Sequence, residues 1–354
     1  MKKMRIAVFF GGRSHEHDIS CLSAQTILRN MDPEKYEAVP IGILRDGRWL
    51  LVKDLSSLAD GSWRDSAAGC SLLPGGARPE LLIEEDGRFS RLPLDAAFPV
   101  LHGRFGEDGT IQGLFELARL PYVGCGVAAS AVSMDKLLTK ALVAGTGIDQ
   151  ARYLGAERED LRDPGPLMDR IEQTFDYPVF VKPSDGGSSQ GVSRVTCREE
   201  LEPALRLAGE EGTRILIEEA IFGREVECAV MTTPDGPRSG GVGEILASGE
   251  FYSFDSKYTD PASLTLTDPL LPEGKREEIA EKAVDIYRAV RAYGLSRVDF
   301  FLENGTDRVV FNEINTMPGF TSISMWPMLW KSSGVPVSRQ IDALIESALR
   351  RFDS

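Results

Sequence analysis

The sequence predicts an α/β protein built from more than one sheet, and three stretches carry that expectation. Residues 4–10 are an apolar run that enters Gly11-Gly12 and is followed by helical spacing over 19–31, a strand, loop and helix in succession. Residues 178–183 form a second strand that leads into the glycine- and serine-rich stretch 184–191 and returns through 192–195. Two runs rich in Val, Phe and Ile, 297–301 and 309–314, flank Asn304-Gly305, the pattern of an antiparallel hairpin with a two-residue turn. Strands interleaved with helical segments in this way are the α/β pattern.

At 354 residues the chain is long enough for two or three domains and a sizeable core. Its composition, 42% hydrophobic and 27% charged, is that of a soluble globular protein, and no apolar run approaches the roughly 20 residues of a membrane span. Met1-Lys2-Lys3-Met4-Arg5 leads straight into a strand, so no cleavable signal and a cytoplasmic location are expected. A net charge of −14 argues against nucleic acid as a partner, because phosphate backbones need a basic face. The same charge leaves nucleotides open, since a few lysines and a metal ion suffice for them. Five scattered cysteines without metal spacing read as reduced thiols.

In chain order, the loop after the first strand holds His15-Glu16-His17-Asp18, which lacks a third ligand nearby for a metal. The segment 54–95, punctuated by Pro and Gly, reads as hairpins and surface connections of modest importance. Residues 98–101 are a buried strand ending at His102-Gly103, and a helix is expected over 111–118. A lone His at a strand end is structural or ligand-facing, and both readings stand. Residues 122–129 contain a G-x-G-x-x-A match with Asp149 downstream, the one feature that favours an NAD-dependent oxidoreductase. In the stretch 184–191, backbone N–H groups and hydroxyls can lie over phosphates, with Lys182 as a point charge; a ligand-free flexible hairpin is the alternative. The only Gly-Lys pair, Gly274-Lys275, fails the P-loop pattern. Residues 214–220 form a strand with an acidic end, and a domain boundary is placed near Phe222-Gly223. The polar stretch after Phe251 is too long for a turn and reads as a lid. Helical spacing over 279–290, with Gly294 as its stop, leads into the hairpin.

That hairpin carries the chemistry. Alternation puts Glu313 and Asn315 on one face, with Asp299 close to opposite them. Converging carboxylates in an apolar sheet cost several kcal/mol unless a cation neutralises them. Oxygen ligands without His or Cys suit Mg²⁺ or Mn²⁺. The alternative makes Asp299 and Glu313 surface residues paired with Arg297 or Arg308.

Taken together, His-Gly-Arg-Phe-Gly-Glu-Asp-Gly-Thr-Ile-Gln-Gly from His102, Ser-Met-Asp-Lys ending at Lys136, Val-Lys-Pro-Ser around Lys182 and Asn-Thr-Met-Pro-Gly-Phe-Thr from Asn315 resemble the D-alanine–D-alanine ligases of the ATP-grasp superfamily. The likeness runs from Gly11-Gly12 to about Ile341 and is loosest over 54–95. It implies a three-domain ATP-grasp ligase: an N-terminal Rossmann-like parallel-sheet domain (1–126), a central domain with the glycine-serine flap (127–222) and a C-terminal domain with lid and metal site (223–354). It implies ATP-dependent joining of two D-alanines through a D-alanyl phosphate, for peptidoglycan precursors. A D-alanine–D-serine or D-alanine–D-lactate ligase of the glycopeptide-resistance type is the alternative. Lys136 and Lys182 would hold phosphates, Ser189 would cover them and Lys257 would reach the γ-phosphate. Glu218 would face adenine and Glu225 the ribose, while Glu219 replaces the Lys of many relatives. Asp299, Glu313 and Asn315 would bind two Mg²⁺ or Mn²⁺ ions. Glu16 would grip the first ammonium and His102 lie beside its carboxylate, with Ser324 and Arg297 on the second carboxylate. Arg297 and the Gly319 N–H would stabilise the oxyanion, and Ser188 and Tyr258 would join Glu16 to close the lid. Tyr258 and Met325 look like the ordinary dipeptide ligases, while the Glu16 loop also resembles resistance ligases. A homodimer is usual in the family. A non-catalytic nucleotide-binding module is the remaining reading.

Overall fold

The computed structural model describes residues 2–187, 190–246 and 264–353. Strand β1 (Met4–Gly11) pairs in parallel with β2 (Tyr36–Ile43) on one side. Its apolar run serves two cores at once. Ile6, Val8 and Phe10 face the helix His17–Asn30, while Ala7 and Phe9 face Ile111 and Phe115 of the helix Thr110–Leu117. A strand covered on both faces needs no polar alternation, which is why its sequence is continuous in Val, Phe and Ile.

The sheet extends further than expected. Beyond β2 come β3 (Trp49–Leu51), β4 (Gly69–Leu73), β5 (Glu80–Glu85) and β6 (Arg88–Pro93), all antiparallel, and β7 (Ala96–Pro99) closes the other edge in parallel with β1. The segment 54–95 is therefore a structural extension of the first sheet. Leu72 and Leu81 lie in the core, and Trp63 packs edge-on against Phe10 with ring centroids 5.0 Å apart. Gly42 makes room for that indole, since a Cβ there would lie 2.2 Å from Trp63.

A second sheet of order β10-β9-β11-β8 is wholly antiparallel: β8 (Tyr153–Glu157), β9 (Val179–Pro183), β10 (Ser193–Val195) and β11 (Arg214–Glu219). The helices Gly165–Thr174 and Arg198–Glu211 cover one face, with Ile171, Leu201 and Leu205 buried beneath them. A third sheet, also antiparallel, has β14 (Leu264–Leu266), β13 (Gly236–Leu246), β12 (Gly223–Thr233), β15 (Leu295–Glu303) and β16 (Val309–Asn315) in that order. The helix Lys275–Ala289 covers it through Ile279, Ala283, Ile286 and Tyr287.

Three local expectations change. The β15–β16 connection has five residues, 304–308, with Gly305 at φ +80° and Asp307 at +52°, instead of the two-residue turn. The helix over 275–289 ends before Gly294, whose φ of +75° serves a turn packed on Gly124: a Cβ at Gly294 would lie 2.8 Å from the Gly124 nitrogen. A Cβ at Gly124 would in turn meet Met317 at 2.9 Å. Protein atoms fill the space a dinucleotide would need at the G-x-G-x-x-A turn. The C-terminal helices Met325–Ser332 and Val337–Asp353 return to the first sheet, where Trp326, Leu329, Leu344 and Ile345 share one core with Ile6 and Phe98. Among the described residues no helix is long and apolar enough to cross a membrane.

Candidate active site

Where the second and third sheets meet the loops of the first, a cleft of about 710 Å³ opens. Its walls include Glu16, His102, Lys136, Lys182, Glu218, Glu225, Arg297, Glu313, Asn315 and Gly319. Residues from positions 16 to 319 thus converge on one volume.

The carboxylate hairpin forms one wall. Asp299 stands opposite Glu313 and Arg297 opposite Asn315; the register then skips Asn312 through a bulge between Asp299 and Phe300. The bulge keeps Glu313 and Asn315 on the face of Arg297 and Asp299. On the other side of β15, Glu227 stands opposite Asp299. The Arg297 Nε donates to Asp299 Oδ1 at 2.8 Å and Nη2 donates to Oδ2 at 2.6 Å, while Glu227 Oε2 lies 3.2 Å from Nε. Arg297, Asp299 and Glu227 are 6%, 2% and 2% exposed. Against the cost of burial, the Asp299 and Glu227 carboxylates raise the Arg297 pKa well above its ordinary value. The Arg297 partnership anticipated for Asp299 is present, but its surface position is not. Asp299 lies behind Arg297 and does not line the cleft.

The phosphate-like end is basic. Lys136 begins the helix Lys136–Ala144, capped by Asp135, whose Oδ1 accepts from the N–H groups of Leu137 at 3.0 Å and Leu138 at 3.2 Å. A lysine at a helix N-terminus opposes the helix dipole; here Lys136 lines the cleft while Asp135 and Ser184 take the first N–H groups of the helix. The Lys136 Nζ donates to the Gly186 carbonyl at 2.7 Å and lies 3.5 Å from Glu313 Oε2. Lys182, on β9, forms an ion pair with Glu218 on β11. The other Glu218 oxygen lies 2.5 Å from the Nζ of Lys140. Burial alone would raise the Glu218 pKa, and the two lysines overturn that, holding it below the usual carboxylate range. Glu219 accepts from the backbone N–H of Arg152 at 2.8 Å and from its Nε at 2.5 Å.

The opposite end is built on loops. The His102 Nδ1 lies 2.9 Å from the Met317 carbonyl, which can only accept, so that nitrogen carries the proton and Nε2 faces Ser23 Oγ at 3.3 Å. Burial pushes His102 below its ordinary pKa against the pull of Glu16 and of the Met317 carbonyl, which favours the neutral ring. Glu107 accepts from Gly103 N–H at 2.7 Å and from Met317 N–H at 2.9 Å. Its burial, with Glu16 nearby, pushes its pKa up to about 8. The Glu16 carboxylate occupies the space a Gly103 side chain would take: a Cβ there would lie 2.8 Å from Oε2. Ser324 does not line the cleft itself; its Oγ accepts from Thr321 N–H at 3.0 Å and lies 2.8 Å from a Cβ built at Gly319. Met325 is buried, and its sulfur fills the space over Gly243. His17 turns its Nδ1 to the Gly12 carbonyl at 2.7 Å.

Ser188, Ser189, Lys257 and Tyr258 lie outside the described residues. Lys140, Glu227 and Glu107 are among the buried charged residues missed in the sequence. Lys140 follows Lys136 by four positions and shares its helix face, a spacing that could have revealed it. Glu227 alternates with Glu225, and Glu107 sits within the His102 motif. Among the described residues no group of three or more His, Cys, Asp or Glu side chains could hold a metal ion. The oxygen set of Asp299, Glu313 and Asn315, two carboxylates and an amide, still matches the hard-donor chemistry of Mg²⁺ or Mn²⁺.

Comparisons with known proteins converge. Two family models match: D-ala D-ala ligase N-terminus over residues 5–125 and D-ala D-ala ligase C-terminus over 142–346. A D-alanine–D-alanine ligase of Caldicellulosiruptor bescii is 45% identical over 352 residues, 99% of this chain and 96% of the relative. The VanG D-Ala:D-Ser ligase from Enterococcus faecalis superposes with a TM-score of 0.87 at 37% identity, covering 98% of this chain and all of the other. A D-alanine–D-alanine ligase from Bacillus anthracis, solved in complex with ATP, gives a TM-score of 0.72 at 25% identity over 99% of both chains.

Proposed function

The chain belongs to the D-alanine–D-alanine ligase family, and from that membership we propose how its cleft carries out the reaction. It is an ATP-dependent ligase that joins two D-alanine molecules, and its dipeptide serves peptidoglycan synthesis. The observation that carries the site reading is the convergence of Lys136, Lys182, Glu313 and Arg297 on one cleft from four separate elements.

A carboxylate is too poor an electrophile to meet an amine. The first D-alanine therefore takes the γ-phosphoryl group of ATP through its carboxylate oxygen, giving an acyl phosphate and ADP. Lys136 and Lys182 hold the phosphates, joined by Ser189 and Lys257. Glu218 and Glu225 face adenine and ribose. Asp299, Glu313 and Asn315 would hold two Mg²⁺ or Mn²⁺ ions, which supply charge neutralisation for the crowded phosphates.

Glu16 grips the ammonium of the first D-alanine, and His102 sits beside its carboxylate. The amine of the second D-alanine, its carboxylate held by Ser324 and Arg297, attacks the acyl carbon. The tetrahedral oxyanion meets the Gly319 N–H and Arg297, which keeps donors to spare because the Asp299 fork uses two of its five N–H groups. Such donors contribute about 3–4 kcal/mol each in comparable sites. Collapse expels phosphate and leaves the amide. Ser188 and Tyr258 join Glu16 to close the lid, which excludes the water that would hydrolyse the acyl phosphate.

The division into units 1–126, 127–222 and 223–354, a homodimer and a cytoplasmic location complete the reading; light scattering of the purified protein tests the dimer. The likeness to a D-Ala:D-Ser ligase motivates a second acceptor as the alternative. Phosphate release with ATP, Mg²⁺ and D-alanine, alone or with D-serine or D-lactate, and products identified by mass, decides between them. Dipeptide from D-alanine alone is the expected result; product only in the mixtures overturns it.

A further inference from the structure

Lys140 is 1% exposed and lies beneath the cleft without lining it; burial lowers its pKa, against the pull of the Glu218 carboxylate. Its Nζ lies 2.5 Å from Glu218 Oε1, and the face of Tyr153, across from Glu218 on β8, lies 5.3 Å from the same ammonium. Glu218 Oε2 pairs with Lys182, which reaches the cleft. The three form a row, Lys140, Glu218 and Lys182, running from the interior to the ligand space.

A buried ion pair of this kind seldom stabilises a fold more than apolar packing of the same volume would. Its use lies in what the outer lysine does. Lys182 is the member of the row that can turn toward phosphate. Without Lys140, that turn would leave the nearly fully buried Glu218 with neither of its two lysine partners, and it would take up a proton or swing aside. Lys140 prevents both, because it holds the other oxygen from beneath.

We propose that Lys140 is a positioning residue for nucleotide recognition: it keeps Glu218 an ionised, fixed acceptor for the exocyclic amine of the base, so that adenine is chosen over bases without that amine. The proposal rests on the reading that Glu218 faces adenine. A carboxylate accepts the amine hydrogen of adenine and finds only a carbonyl oxygen at that position in inosine, which it repels.

The test compares ATP with ITP, at saturating Mg²⁺ and D-alanine, in the full-length enzyme and its K140M, E218Q and K140M/E218Q variants. K140M is expected to lower the ATP-to-ITP ratio of kcat/KM about tenfold, the loss of one charge-assisted hydrogen bond. That loss should fall on the KM for ATP, with kcat and the KM for D-alanine nearly unchanged. E218Q should lower the ratio similarly, and the double variant no further, because Lys140 acts only through Glu218. A ratio lowered by E218Q and untouched by K140M overturns the proposal and reduces Lys140 to packing. A ratio untouched by E218Q removes the base-facing reading itself, and the proposal with it. Where K140M alone fails to fold, the double variant, which restores the net charge of the row, is compared with E218Q: equal ratios support the proposal and a lower one overturns it.

Discussion

Arg297 closes a two-pronged fork on Asp299, with Nε–Oδ1 at 2.8 Å and Nη2–Oδ2 at 2.6 Å, inside a sheet that nearly excludes solvent from both. Glu227 is the third member, and Arg297 is the cation that offsets both acids. Arg297→Met should therefore strand two buried carboxylates and cost about 3–5 kcal/mol of stability, read by urea unfolding. Mg²⁺ should recover part of that loss if Asp299 is a metal ligand, because the ion would supply the missing charge. Identical urea midpoints with and without Mg²⁺ would count against Asp299 as a ligand.

Glu313 presents a different case, since its side chain is 35% exposed and its lysine neighbour stands 3.5 Å away. Glu313→Gln should change stability by less than about 1 kcal/mol. Its effect belongs to metal use: the Mg²⁺ concentration giving half-maximal phosphate release should rise at least about tenfold. Wild-type Mg²⁺ dependence would remove Glu313 from the metal set.

These two acids also show how far the sequence reaches. That Glu313 and Asn315 share one face follows from strand period alone, while the exact pairing of Asp299 with Glu313 also depends on the length of the connection and on the bulge. Position within one element is local information. The five-residue connection at 304–308 was missed because Asn-Gly marks a turn without fixing its length. The hairpins of 54–95 were legible, but their place as an extension of the first sheet was not, because the edge a hairpin joins is set by the fold and not by its own residues. Glu227, Glu107 and Lys140 stayed hidden for a related reason. A charged residue in a sequence reads as surface by default, and only the fold brings its counter-charge to it.

Gly103 has φ +70°, and the Glu16 carboxylate fills the place of its missing side chain. Gly103→Ala should cost about 1 kcal/mol in backbone strain. It should also displace Glu16, so the KM for D-alanine should rise several-fold while the KM for ATP holds, as initial rates at varied substrate will show. Equal changes in both constants would mean that the loop, rather than Glu16, had been disturbed.

The Met317 peptide is gripped at both ends, by Glu107 on its N–H at 2.9 Å and by His102 on its carbonyl at 2.9 Å. The same N–H lies 3.0 Å from Asn315 Oδ1, so Glu107 offers it an alternative when that oxygen is needed elsewhere. Gly103 N–H occupies the second Glu107 oxygen, which ties the His102 loop to the Asn315 loop through one buried carboxylate. Glu107→Gln keeps the shape and turns an NH₂ toward one of two N–H groups. One buried donor then loses its acceptor, at about 1–3 kcal/mol, visible as a lower urea midpoint. Loosening Met317 loosens the approach to Gly319 two residues on, so kcat with D-alanine should fall about tenfold or more, an order set by oxyanion donors that lose their aim. ATP affinity, measured in the absence of D-alanine, should remain that of the wild type, because the lysine end of the cleft shares no hydrogen bond with Glu107. A variant with normal turnover and a lowered midpoint would make Glu107 a fastener of the fold alone.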